Sequence, residues 1–142
     1  EIEGISHLHR LRSLRLDSNL IERVGSALEV NTCLTELGLS DNKIGHFKEI
    51  PNLARLKSLR TLVLSDSDFG DNPVCSLCNY QTYAMFHLKQ LTSLDCLLLL
   101  DDTKVLAETT YMKKKMYYNM RIKTLKRNTS NIMRKAQEAR DG

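Results

Sequence analysis

Three stretches of the chain share one spacing of leucines and polar residues. They are Leu11-Arg12-Ser13-Leu14-Arg15-Leu16-Asp17-Ser18-Asn19-Leu20-Ile21, Leu34-Thr35-Glu36-Leu37-Gly38-Leu39-Ser40-Asp41-Asn42-Lys43-Ile44, and Leu59-Arg60-Thr61-Leu62-Val63-Leu64-Ser65-Asp66-Ser67-Asp68-Phe69. Their starts lie 23 and 25 residues apart, and Leu91-Thr92-Ser93-Leu94-Asp95-Cys96 opens a fourth, 32 residues further on. Alternation sends Leu14 and Leu16 to the same side of a short strand. Between strands, Ile2, Ile5, Leu8 and Leu11, and then Ile44, Phe47, Ile50, Leu53, Leu56 and Leu59, recur at about one helical turn. Those rows predict α or 3-10 turns on the outer side of a stack. The polar residue after each strand, Asn19, Asn42 and then Ser67, is expected to satisfy buried backbone groups of adjacent turns. Ser67 could replace an Asn only in part, which fits a ladder about to end.

The pattern L-x-x-L-x-L-x-x-N-x-I is that of the leucine-rich repeat. With the Ile2-Glu3-Gly4-Ile5 segment and the N-x-I turns, it resembles the short-repeat intracellular leucine-rich-repeat proteins. These include a regulatory subunit of protein phosphatase 1, a dynein light chain and many ciliary proteins. Asn72-Pro73-Val74-Cys75, Tyr80, Tyr83, Leu88, Leu91 and Leu94-Asp95 resemble that group's C-terminal cap. The resemblance implies an α/β fold, a right-handed leucine-rich-repeat solenoid with a parallel strand ladder, a helical cap and a long C-terminal helix. The expected divisions are repeats over 1–71, cap over 72–102 and basic amphipathic helix over 103–142. Tyr111 to Arg121 further resembles the tail of a long multi-repeat member of the group.

Asn72-Pro73 suits a helix start, since proline loses no N–H in a first turn. The apolar positions Leu77, Tyr80, Met85 or Phe86, and Leu88 predict a cap helix from Val74 to Lys89 covering the last core edge. Thr103 or a preceding Asp would cap a second helix from about Lys104 to Arg140. On it Tyr118, Ile122, Leu125, Thr129, Ile132 and Ala136 alternate by four and three residues, a seam that packs on something.

Charge sharpens the division of the chain. The whole carries 21 Lys+Arg against 17 Asp+Glu, net +4. Residues 1–102 hold 10 basic and 14 acidic side chains, and residues 103–142 hold 11 basic and 3 acidic. An acidic body with a basic tail points to two parts with different jobs. A chain of 142 residues can bury a core without disulfides, and its longest leucine run, Leu97–Leu100, is far below the ~20 residues of a membrane span. The sequence opens in mid-pattern at Glu1 with neither initiator Met nor signal peptide, so it reads as a piece of a longer protein. Cys33, Cys75, Cys78 and Cys96 do not cluster at the ends, and a reducing cytoplasmic compartment is expected.

Catalytic and metal chemistry find little support. Cys75-x-x-Cys78 has no nearby second pair of ligands and reads as core residues one helical turn apart. Asp66-x-Asp68-x-Gly70 lacks the third acid and distant Glu of a calcium loop. His7 and His9 fall on the outer turn of the first repeat. No cofactor, metal or catalytic residue is expected, and the chain is not read as an enzyme.

Binding is the better expectation. Outward strand positions Ser13, Arg15, Asp17, Glu36, Gly38, Ser40, Thr61, Val63 and Ser65 would line a concave partner face, with Arg15 beside Glu36. On the tail, Lys113, Lys114, Lys115, Tyr118, Arg121, Ile122, Lys123, Leu125, Lys126, Arg127 and Ile132 would meet a second partner with an acidic surface. The expected partners are proteins within a hetero-complex, not nucleic acid or membrane. The resemblance implies tubulin or axonemal subunits, in a cytoplasmic, cytoskeletal and ciliary setting. The alternative is a regulatory subunit that positions a phosphatase or motor catalytic chain on its concave face.

Overall fold

A computed structural model describes residues 2–5 and 7–141. The opening at Glu1 and the tail's final Gly142 lie outside them. Strands β1 (Ser13–Arg15), β2 (Glu36–Gly38), β3 (Thr61–Val63) and β6 (Ser93–Leu94) pair in parallel, in that order. Leu14, Leu37, Leu62 and Leu94 stand opposite one another across successive rungs. The chain is therefore a leucine-rich-repeat solenoid with a parallel strand ladder and a long C-terminal helix. Leu34, Leu37, Leu39, Leu59, Leu62 and Leu64 are fully buried in one continuous core.

The outer side is built of tight turns. Phe47–Glu49 and Pro51–Arg55 are 3-10 helices. Residues three apart eclipse in a 3-10 helix, which explains the strict spacing of three from Ile44 to Leu59. Polar side chains stitch these turns together. The Glu49 carboxylate, buried, accepts from the N–H groups of Val24 (2.8 Å) and Gly25 (3.2 Å). The Asn31 amide donates to the carbonyls of Ile5 (3.1 Å) and Leu8 (3.0 Å).

The asparagine ladder runs as expected at Asn42. Its Oδ1 accepts from the Ile21 N–H at 3.1 Å, and its Nδ2 donates to the carbonyls of Leu16, Leu39 and Ser40. The third rung departs from expectation. Ser67 is exposed, and Asn72 takes the ladder role, accepting from the Ile44 N–H at 3.1 Å and donating to Leu39 and Leu64. A small antiparallel hairpin, β4 (Ser65–Asp66) with β5 (Gly70–Asp71), separates strand from asparagine. Gly70 sits at φ +124°, where a side chain would be strained.

The cap is also shorter than predicted. Pro73–Ser76 forms a 3-10 turn, Asn79 adopts a left-handed conformation at φ 67°, and helix α1 covers only Tyr80–His87. Leu77 is consequently exposed, whereas Tyr80, Ala84, Met85 and Leu88 seal the core. Strand β7 (Leu97–Leu98) folds back antiparallel on β6 through Asp95 and Cys96, both at positive φ as a tight hairpin demands.

Helix α2 runs Asp101–Asp141, starting three residues before the predicted Lys104, with Asp101 and Asp102 in its first turn, where the helix dipole favours acids. Two compact units divide at Glu108 and Thr109. Within the first, Ala107 is buried and Lys89 Nζ lies 3.7 Å from Glu108 Oε1. In the second, every residue from Met112 to Ala139 is exposed.

Candidate functional site

Parallel pairing at unit register sets equivalent residues side by side, about 4.8 Å apart, so the outward strand positions form rows. Ser13, Glu36 and Thr61 make one row, and Arg15, Gly38 and Val63 the next. Ser13 Oγ donates to Glu36 Oε2 at 3.4 Å. Arg15, which the sequence places beside Glu36, makes its ion pair elsewhere. Its Nε binds Asp17 Oδ2 at 3.0 Å, because the register places Arg15 opposite Gly38 and leaves its guanidinium within reach of the next outward acid on its own strand. Asp17 is held in turn by the Ser40 N–H, which donates to Oδ1 at 2.9 Å.

Gly38 forms the floor beneath this pair. A Cβ there would sit 3.1 Å from Asp17 Oδ1, so any side chain would displace the carboxylate that orients Arg15. Gly38 and Ser40 are buried, contrary to their expected display on the face. Ser13, Arg15 and Glu36 are exposed, and Asp17, Thr61, Val63 and Ser65 are half-buried. A shallow depression of about 160 Å³ lies among Arg15, Glu36, Gly38, Thr61, Val63 and Cys96.

The inserted hairpin adds a feature that the repeat pattern did not reveal. Phe69, at its tip, is 47% exposed, and the Arg15 guanidinium lies 5.6 Å from its ring centroid. The cation and ring thus stand together on the concave side. The signal was present in the turn-rich run Ser65 to Asp71, which is too polar to continue a leucine rung.

A second cavity, of about 390 Å³, lies beside the cap. There the Tyr80 hydroxyl donates to Asp95 Oδ2 at 2.7 Å, and Asp95 Oδ1 accepts from the N–H groups of Leu64 (2.7 Å) and Ser65 (3.0 Å). Burial raises the pKa of Tyr80, and the neighbouring Asp95 charge adds to it. Burial also raises Asp95 itself, against the donors that favour its charged form. The Cys75 thiol is pushed up chiefly by burial and stays protonated, the opposite of an activated nucleophile. This constellation fastens the cap to the last rung. Cys78 is exposed rather than packed one turn from Cys75 in the core, because the cap helix begins only at Tyr80. Among the described residues no three His, Cys, Asp or Glu side chains converge on a point that could hold a metal ion.

On α2, Lys113, Lys114, Lys115, Tyr118, Arg121, Ile122, Lys123, Leu125, Lys126, Arg127 and Ile132 are all exposed. Arg121 lies over the Tyr117 ring, 5.8 Å from its centroid, and donates to the Tyr117 hydroxyl at 3.1 Å.

A stacked ladder, asparagine stitching and a sealed end together define a repeat solenoid, and the leucine-rich repeat family profile matches residues 1–121. The chain belongs to that family. Proteins named U2 small nuclear ribonucleoprotein A′ from Homo sapiens, Mus musculus and Macaca fascicularis are 33% identical to it over 96 residues, 67% of this chain and 36% of theirs. The chain therefore spans little more than one third of those relatives. The crystal structure of the Drosophila melanogaster SNF/U2A′ complex matches with a TM-score of 0.67 at 24% identity, covering 80% of this chain and 67% of that one. The Mex67 leucine-rich-repeat domain of Chaetomium thermophilum matches with a TM-score of 0.56 at 22% identity, over 70% and 71% of the two chains. These two likenesses show the fold.

Proposed function

We propose that the protein is a non-catalytic protein–protein interaction scaffold that holds a partner on the concave face of its ladder. The observation that carries this is the ordered row of Ser13, Glu36 and Thr61 with Arg15 in the row beside it, and the exposed Phe69 ring next to Arg15. Such a face offers fixed polar contacts and one aromatic anchor, the composition that binding hot spots favour. The similarity to a repeat protein solved in the SNF/U2A′ complex supports the same reading.

The setting is a separate matter. The relatives carry the name of a small nuclear ribonucleoprotein component, which supports membership of a ribonucleoprotein assembly. The axonemal or microtubule setting rests on the family resemblance, tubulin as partner on that resemblance and the basic tail, and the cytoplasmic location on the distribution of the four cysteines. The identification of the tail with that of leucine-rich repeat-containing protein 9 rests on resemblance alone, and none of the relatives named above carries it. A fluorescently tagged full-length protein that collects in the nucleus favours the ribonucleoprotein setting, and one that collects in cilia favours the axonemal one.

The binding face itself is tested by photo-crosslinking in cells. A photoreactive residue at position 13 or 61 should capture the same partner protein, and one at Lys48 or Arg55 on the outer side should not. Capture from the outer positions only would overturn the concave-face reading.

A further inference from the structure

The second compact unit begins at Thr109. From Met112 to Ala139 it presents only exposed side chains, yet it is not polar all round. Tyr118, Ile122, Leu125, Thr129, Ile132 and Ala136 follow one another at alternating intervals of four and three. That interval is the a/d seam of a left-handed coiled coil, with Ile122, Thr129 and Ala136 at a and Tyr118, Leu125 and Ile132 at d. A large share of Tyr118 (65%), Leu125 (59%) and Ile132 (68%) remains in water. Water contact along an apolar stripe is a standing free-energy cost that a partner helix removes.

The flanking positions say which partner. Arg121 and Lys135 occupy g, Lys126 occupies e, and the other described flanking residues, Asn119, Asn128 and Met133, are uncharged. No acid stands beside the seam among the described residues; Glu138, which pairs with Arg134 at 3.8 Å, lies on the outer face. In a parallel dimer of two copies Arg121 would face Lys126, and an antiparallel dimer would face e with e and g with g. Both arrangements oppose like charges, which in coiled coils selects against self-pairing. The small and polar residues at a, Ala136 and Thr129, weaken the apolar drive and leave the flanking charges to decide the match.

We propose that the Tyr118–Ala136 seam is one half of a heterotypic coiled coil, and that its occupant is an amphipathic helix of another protein with Asp or Glu at its flanking positions. Arg121, Lys126 and Lys135 select this partner by charge, and Ile122, Leu125 and Ile132 supply the buried contact.

The test uses the full chain and two synthetic helical peptides with the same Ile and Leu seam, one with Glu at every e and g position, the other with Lys. Fluorescence anisotropy at low salt should give at least about tenfold tighter binding of the Glu peptide, a ratio that shrinks at high salt. The triple variant Arg121→Glu, Lys126→Glu, Lys135→Glu should reverse the preference to the Lys peptide. These positions are exposed, so folding is retained, and circular dichroism checks it. The variant Ile122→Asp, Leu125→Asp should lose the Glu peptide. Retained binding in that variant would mean charge attraction without a seam and would overturn the proposal. So would equal binding of both peptides, binding of neither, or sedimentation of the chain alone as a dimer that the Ile122→Asp change dissolves.

Discussion

The first rung and the two that follow it carry the same motif and end up in different states. Leu34, Leu37 and Leu39, and likewise Leu59, Leu62 and Leu64, are sealed, whereas Leu11, Leu14 and Leu16 are only partly buried. Among the described residues strand β1 has a ladder neighbour on one side only, β2. The asparagines repeat the contrast. Asn42 and Asn72 each bind backbone of two rungs, while exposed Asn19 donates only within its own turn, to the carbonyls of Leu16 (2.8 Å) and Asp17 (3.2 Å). Burial in a solenoid is thus conferred by neighbours on both sides and not by the repeat's own residues.

The largest effect that sharpens this contrast is in the leucines. Leu37→Ala or Leu62→Ala should each lower stability by about 2–5 kcal/mol in urea denaturation, since a sealed site cannot collapse onto the cavity. Leu14→Ala, at a site that water already reaches, should cost roughly 1–2 kcal/mol. Equal losses would remove the distinction between the rungs.

The asparagines come next. Asn42→Ala leaves the Ile21 N–H, and Asn72→Ala the Ile44 N–H, without its side-chain acceptor, while the carbonyls that the two amides also reach each keep one other donor, at a cost of about 1–3 kcal/mol each. Asn19→Ala should fall within about 0.5 kcal/mol of the unaltered protein, because water replaces its bonds. At the far end, Tyr80→Phe removes one donor to Asp95 and should cost about 1 kcal/mol, read as a lowered melting temperature. Substitution of Ser67, by contrast, should leave stability nearly unchanged, since it is not a ladder residue.

What could be read without coordinates follows from period. The L-x-x-L-x-L spacing repeats with little change, so the register of Leu14, Leu37, Leu62 and Leu94 was legible. Where the period was interrupted, the reading slipped. Asn42 follows Leu39 by three residues, but the β4–β5 hairpin moves Asn72 eight residues past Leu64, and counting from the motif landed on Ser67. The break in the cap rests on Asn79 in a left-handed conformation, which asparagine tolerates better than most residues but signals less sharply than glycine. At the candidate site the rows of outward residues were legible from alternation. The preference of Arg15 for Asp17 over Glu36 was not, because it depends on the Asp17 carboxylate filling the space that a side chain at position 38 would take and on the Ser40 N–H holding it there.

The smallest effect concerns the cysteines. Cys75 is half-buried with its pKa raised chiefly by burial, whereas Cys33, Cys78 and Cys96 are exposed. In the folded protein at mildly alkaline pH, iodoacetamide should label Cys75 last, as followed by peptide mass spectrometry. Labelling of Cys75 as fast as Cys78 would mean that the cap opens readily.

The dependence of each rung on its neighbours is tested most directly by two backbone amides in equivalent positions. The Leu16 N–H donates to Gly38 and the Leu39 N–H donates to Val63, both at 2.8 Å, so bond length does not distinguish them. Measured on the 142-residue chain by itself, residue-resolved hydrogen exchange should find Leu39 protected about a hundredfold or more beyond Leu16, because a rung with one neighbour can open alone and a rung with two cannot. Equal protection of the two amides would contradict the account.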